Sequence, residues 1–73
     1  MTHPNIPMTP VKSGQVEAIG HQGATLAVRF KGGSTYHYHD VSPEKHAALI
    51  AAESIGKHLS EHVKPHHKYD KVS

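Results

Sequence analysis

The sequence predicts an α+β domain, a three-stranded antiparallel β-meander packed on one face by two C-terminal helices (β-β-β-α-α). Three observations predict it. Leu26, Val28 and Phe30 alternate with Thr25, Ala27, Arg29 and Lys31, which is the period of a half-buried strand. Glycines at 20, 23, 32 and 33 punctuate the first half of the chain at short intervals, and antiparallel neighbours need only short links. Beyond residue 41, Ser42 and Ser54 each stand as a cap before an apolar pattern of helical spacing.

Residues 1–10 carry Pro4, Pro7 and Pro10 in two overlapping Pro-x-x-Pro frames. Each ring fixes φ and removes a donor, so this segment reads as a flexible, extended Pro-rich arm. Ile6 and Met8 are its apolar residues; they either fold back onto the sheet or await a partner. Residues 15–20 read as the first strand, with Val16 and Ala18 on one side and Glu17 and Ile19 on the other, and residues 21–24 as the turn into the next.

The hairpin over residues 25–41 organises the rest. Gly32-Gly33 suits a two-residue turn with φ > 0 at both positions. That loop pairs Phe30 with Thr35, Arg29 with Tyr36, Val28 with His37 and Ala27 with Tyr38. One face then carries Leu26, Val28, Phe30, Thr35, His37 and His39, and the other carries Ala27, Arg29, Lys31, Tyr36 and Tyr38. A three-residue loop would shift the pairing by one and turn both tyrosines into the core; the glycine pair favours the shorter turn.

Ser42-Pro43-Glu44 opens the first helix, with a cap, a proline at the first helical position and an acid near the positive end of the dipole. Ala47, Ile50 and Ala51 form its expected inner stripe, with Leu49 beside it. Behind Ser54, Ile55, Leu59 and Val63 recur at four-residue steps along a second helix, which Pro65 ends. Residues 64–73 read as a polar tail with Tyr69 as its anchor. The whole is a single domain over residues 11–63.

At 73 residues with no cysteine, the chain builds one small core without disulfide or thiolate support. That suits a reducing cytoplasm. No run approaches the roughly 18 apolar residues of a membrane span. A net charge of +2 is mild for a dedicated nucleic-acid binder. A deep substrate pocket would hollow out the core, no nucleophile motif is present, and the expectation is no enzyme, cofactor or metal. The nine histidines are scattered surface composition. His58-Leu59-Ser60-Glu61-His62 does match a zinc-peptidase pattern, His-x-x-Glu-His, and His66 or His67 could supply the third ligand, but so small a core affords no cleft and Leu59 is needed in it. The candidate partner surface is the exposed sheet face with Arg29, Lys31, Tyr36 and Tyr38, joined by Ile6, Met8 and Val11. Tyr and Arg are the residues of protein hot spots and of base-stacking platforms alike.

Over residues 11–69 the chain resembles the KTSC domain family. The carriers are Leu26-x-Val28-x-Phe30, Gly33, Tyr36-x-Tyr38, Val41-x-Pro43 and Ala52-x-Ser54-x-Gly56-Lys57. That resemblance implies an RNA-binding module. The whole chain is also similar to a small phage-encoded transcription regulator that binds host bacterial RNA polymerase. This second likeness implies contacts with the β′ and β subunits, inhibition of initiation through interference with the sigma factor, and read-through of terminators. It implies a protein partner and no small-molecule substrate, with RNA binding as the alternative.

Overall fold

The computed structural model describes residues 6–72; His3 and Pro4 of the arm lie outside the described residues. The sheet has five strands: β1 (Thr9–Pro10), β2 (Val16–Gln22), β3 (Thr25–Phe30), β4 (Thr35–Tyr38) and β5 (Tyr69–Lys71). They lie in the order β1-β2-β3-β4-β5, each pair antiparallel. The three-stranded meander is therefore corrected: the arm and the tail each add an edge strand. The reason is hydrogen bonding, because the outer edges of β2 and β4 hold backbone groups that need partners. The Val11 amide donates to the Glu17 carbonyl at 3.1 Å, and the Val72 amide to the Thr35 carbonyl at 2.8 Å.

Two turns set the register. Gln22 pairs with Thr25 across Gly23-Ala24, where Gly23 has φ +63°, a two-residue loop with its glycine at the first central position. The β3–β4 loop has three residues, Lys31-Gly32-Gly33. The Gly33 amide donates to the Phe30 carbonyl at 2.9 Å and the Phe30 amide to the Ser34 carbonyl at 2.8 Å. Of the glycine pair, only Gly33 has positive φ, +98°, so this is a turn closed by one left-handed residue. The pairs are Leu26 with Tyr38, Ala27 with His37, Val28 with Tyr36 and Arg29 with Thr35. The two-residue register is overturned, and the faces exchange Thr35 and His37 for Tyr36 and Tyr38.

A bulge between Val16 and Ala18 corrects the first strand in the same way. Val16 opposes Phe30 and Ile19 opposes Val28, so Val16 and Ile19 share the helix-side face although three positions apart. Helix α1 (Pro43–Ile50) starts where expected, with the Lys45 amide donating to Ser42 Oγ at 3.2 Å. Its inner stripe is corrected: Leu49 is fully buried, whereas Ala47, Ile50 and Ala51 are exposed. The larger leucine side chain gains more from burial than the alanines do, and turning it inward carries Ile50, about 100° further round the helix, toward the outside.

Helix α2 (Ile55–His58) is capped by Ser54, which accepts from the Lys57 amide at 3.4 Å. It continues through Leu59–Val63 with a wider turn, in which the Lys64 amide reaches the Leu59 carbonyl at 2.9 Å. Ile55, Leu59 and Val63 are buried together, as their spacing predicts. They close the core with Val16, Ile19, Leu26, Val28, Tyr38, Val41 and Leu49. The other sheet face carries the small residues Ala18, Gly20 and Ala27, all buried. A Cβ on Gly20 would overlap the Pro7 carbonyl oxygen, and Ile6 is 4% exposed. The described end of the arm thus folds back onto the sheet, and that face is not left wholly open.

A candidate aromatic docking cleft

The register brings together all four aromatic residues of the chain, three tyrosines and one phenylalanine. Phe30 ends β3, Tyr36 and Tyr38 alternate along β4, and Tyr69 opens β5 directly opposite Tyr38. Phe30 and Tyr36 meet edge to face with centroids 5.6 Å apart. Tyr69 sits edge-on to Tyr36 at 5.6 Å and tilted to Tyr38 at 5.7 Å. These are favoured ring geometries. With Ser34 and Lys64 the rings line a surface cleft of about 460 Å³. Lys64 Nζ stands 5.2 Å from the Phe30 centroid, close enough for a cation–π contact.

The floor is chemically quiet. Burial, and then the neighbouring phenols of Tyr36 and Tyr69, push the Tyr38 hydroxyl up to about 12, so it stays a neutral phenol at physiological pH. The rim differs, because Tyr69 is 57% exposed and Lys64 and Lys71 are exposed. The expectation of a chain without a cleft is corrected. This hollow lies at the sheet corner beyond the helices, so it removes nothing from the aliphatic core.

The expected surface of Arg29, Lys31, Tyr36 and Tyr38 is divided by the register. Arg29 is exposed on the opposite face, its Nε donating to Thr35 Oγ1 at 3.5 Å, and Lys31 is exposed in the loop. Tyr36 is half-buried and Tyr38 buried on the helix side. Ile6 is buried, Met8 is half-buried, and Val11 packs against the core, away from the rings. Phe30, Lys64 and Tyr69 are cleft residues that the sequence reading placed in a core, a helix end and a tail.

The histidines form local groups. His21 and His46 stack with centroids 4.9 Å apart at 9°, and His21 Nε2 donates to the Val41 carbonyl at 2.7 Å. Burial, then the His21 charge, lowers the pKa of His46. His39 Nε2 lies 2.6 Å from Asp70 Oδ2. His67 donates from Nδ1 to the His39 carbonyl at 2.8 Å and accepts from Lys45 Nζ at 3.1 Å. His58 and His62 do share one helix face, 4.6 Å apart. Among the described residues, no three His, Asp or Glu side chains are placed to hold a metal, and no helix is long and apolar enough to cross a membrane.

Comparison with known proteins follows the same outline. The family model described as the KTSC domain matches residues 12–69. A protein of Tsukamurella paurometabola is 48% identical over 60 residues, covering 80% of this chain and 90% of its own length. An uncharacterized protein of Stutzerimonas stutzeri is 34% identical over 59 residues, covering 78% and 83%. The crystal structure of a KTSC domain protein from Yersinia pestis superposes with a TM-score of 0.86 at 25% identity, covering 94% of this chain and all of that one.

Proposed function

The chain belongs to the KTSC domain family, and on that premise we propose that it is a non-enzymatic phage regulator that binds host bacterial RNA polymerase in the bacterial cytoplasm. In this reading it engages the β′ and β subunits, inhibits initiation by interfering with the sigma factor, and promotes terminator read-through. The choice of partner rests on the resemblance read from the sequence alone. The observation that carries a binding role is the cleft itself, in which the three tyrosines and the phenylalanine of a small chain meet at one surface corner beside Lys64. Tyrosine-rich, partly exposed clusters of this kind are the anchors of macromolecular interfaces. The floor offers a neutral phenol and no activated nucleophile.

Nuclease-treated bacterial lysate is the test. The protein is expected to retain RNA polymerase after nuclease treatment and to reduce sigma-dependent initiation in purified transcription. Loss of polymerase on nuclease treatment, or undiminished initiation, contradicts the reading. RNA binding is the second reading, favoured by a lysine poised over a ring in a cleft that suits a base. It predicts affinity for RNA that falls steeply with salt; a flat salt response removes it.

A further inference from the structure

We propose that the outer edge of β5 and the aromatic cleft together dock one extended acidic segment of the polymerase, which adds as a sixth strand and sets an apolar side chain among the rings. The proposal rests on the polymerase reading for the identity of the partner. Its geometry is independent of that reading.

β5 is the last strand of the sheet. The Lys68 carbonyl accepts from the His39 amide and the Val72 amide donates to the Thr35 carbonyl, both at 2.8 Å. Backbone groups alternate in direction along a strand. Those of Lys68, Asp70 and Val72 therefore turn toward β4, and those of Tyr69 and Lys71 turn outward to the edge. An edge with backbone groups at strand spacing fits an extended peptide, whose own amides and carbonyls can complete the ladder. A nucleic acid backbone does not present amides and carbonyls at that spacing.

The side chains choose the peptide. Tyr69 and Lys71 stand on the cleft side of β5, opposite Tyr38 and Tyr36. Lys64 crosses the other wall over Phe30, and among the described residues no carboxylate lines the cleft. The one acid of β5, Asp70, points to the opposite face and is paired with His39. The edge is thus cationic on the side where the rings lie, which favours an acidic segment and disfavours a basic one. The rings favour an apolar residue at the alternate position, because side chains on one face of an added strand recur every second residue.

The test needs first no polymerase. A labelled peptide of about eight residues, with glutamate and valine taking turns at every second position and threonine between them so that both face the cleft, is titrated with the protein beside a lysine-for-glutamate peptide and an oligouridylate. The acidic peptide is expected to bind, to slow hydrogen exchange at the Tyr69 and Lys71 amides, and to weaken about tenfold in Tyr69→Ala and in Lys71→Glu. Both residues are exposed, and thermal melts check that the variants remain folded. Equal binding of the lysine peptide, binding of oligouridylate alone, or protection elsewhere in the chain overturns the proposal. Purified polymerase is then bound to the same variants. Wild-type binding with a matching loss in both variants supports the cleft as the interface. Undiminished binding in both removes the cleft and leaves the polymerase reading intact. If the wild type fails to bind polymerase, the polymerase reading fails and the assignment of this segment to polymerase fails with it, whereas the peptide titration still judges the geometry.

Discussion

The two hairpins of this sheet share β3 and differ by one residue in their loops. The β2–β3 loop is Gly23-Ala24, with its left-handed glycine first. The β3–β4 loop is Lys31-Gly32-Gly33, with its left-handed glycine last. The first keeps the alternation of its strands in simple step. The second sets Val28 opposite Tyr36 and so carries both tyrosines to the helix side. Two adjacent glycines imitate a two-residue turn in sequence, yet one left-handed residue is all that the longer loop requires. Because side chains alternate with a period of two, that single residue decides which face of the protein is aromatic.

Deleting Gly32 would make the two loops equal in length and have the largest effect. A two-residue loop slips β4 by one position, takes Tyr38 out of the core and sends Thr35 and His37 in. The expected outcome is loss of cooperative unfolding, read by near-UV tyrosine signal during chemical denaturation. A shortened chain that unfolds as cooperatively as the wild type would show that loop length does not set this register.

Alanine substitutions along the hairpin sharpen the face assignment. Tyr38→Ala should cost about 3–5 kcal/mol, as for other large buried aromatic residues. Tyr36→Ala, half-buried at the cleft, should cost less, about 1–3 kcal/mol, and Arg29→Ala no more than about 0.5 kcal/mol. Denaturant midpoints at constant slope check the order; the short-loop register would leave both tyrosines nearly silent.

The glycines can be told apart by the same means. Gly33→Val places a β-branched residue at φ +98° and should cost about 1–3 kcal/mol. Gly32 has open space around a new Cβ and no positive φ, so Gly32→Val should stay within about 0.5 kcal/mol.

The smallest effects are those of pH. The Tyr38 phenol ionises near 10 when unfolded and near 12 when folded, so between those values the unfolded chain has lost more protons. Stability should be intact below pH 10 and fall as pH rises through that window, and Tyr38→Phe should flatten the fall. His46 shifts the other way. Its lowered folded pKa means that the unfolded chain binds more protons just below 6.5. Stability is present above 6.5 and declines as pH falls through the folded pKa, and His46→Gln should blunt that decline. Midpoints measured across pH check both signs.

Much of this architecture is legible from residues alone. Ser42, Pro43 and Ser54 mark both helix starts, and the four-residue recurrence of Ile55, Leu59 and Val63 marks a buried helix face, all as observed. What escapes the sequence is pairing over distance. Thr9–Pro10 and Tyr69–Lys71 have no strand-like alternation of their own and become strands because β2 and β4 offer open edges. The bulge after Val16 leaves no local mark. Of the cleft residues, the sequence points to Tyr36 and Tyr38 but places them on the wrong face. Tyr69 and Lys64 join them only once the tail returns to the sheet.

The register of β3 against β4 carries the whole account, and cross-strand nuclear Overhauser effects read it directly. Backbone contacts are expected between Val28 and Tyr36 and between Leu26 and Tyr38, with the Tyr36 ring close to those of Phe30 and Tyr69. Contacts of Arg29 with Tyr36 and of Ala27 with Tyr38, and a Tyr36 ring without aromatic neighbours, would contradict it.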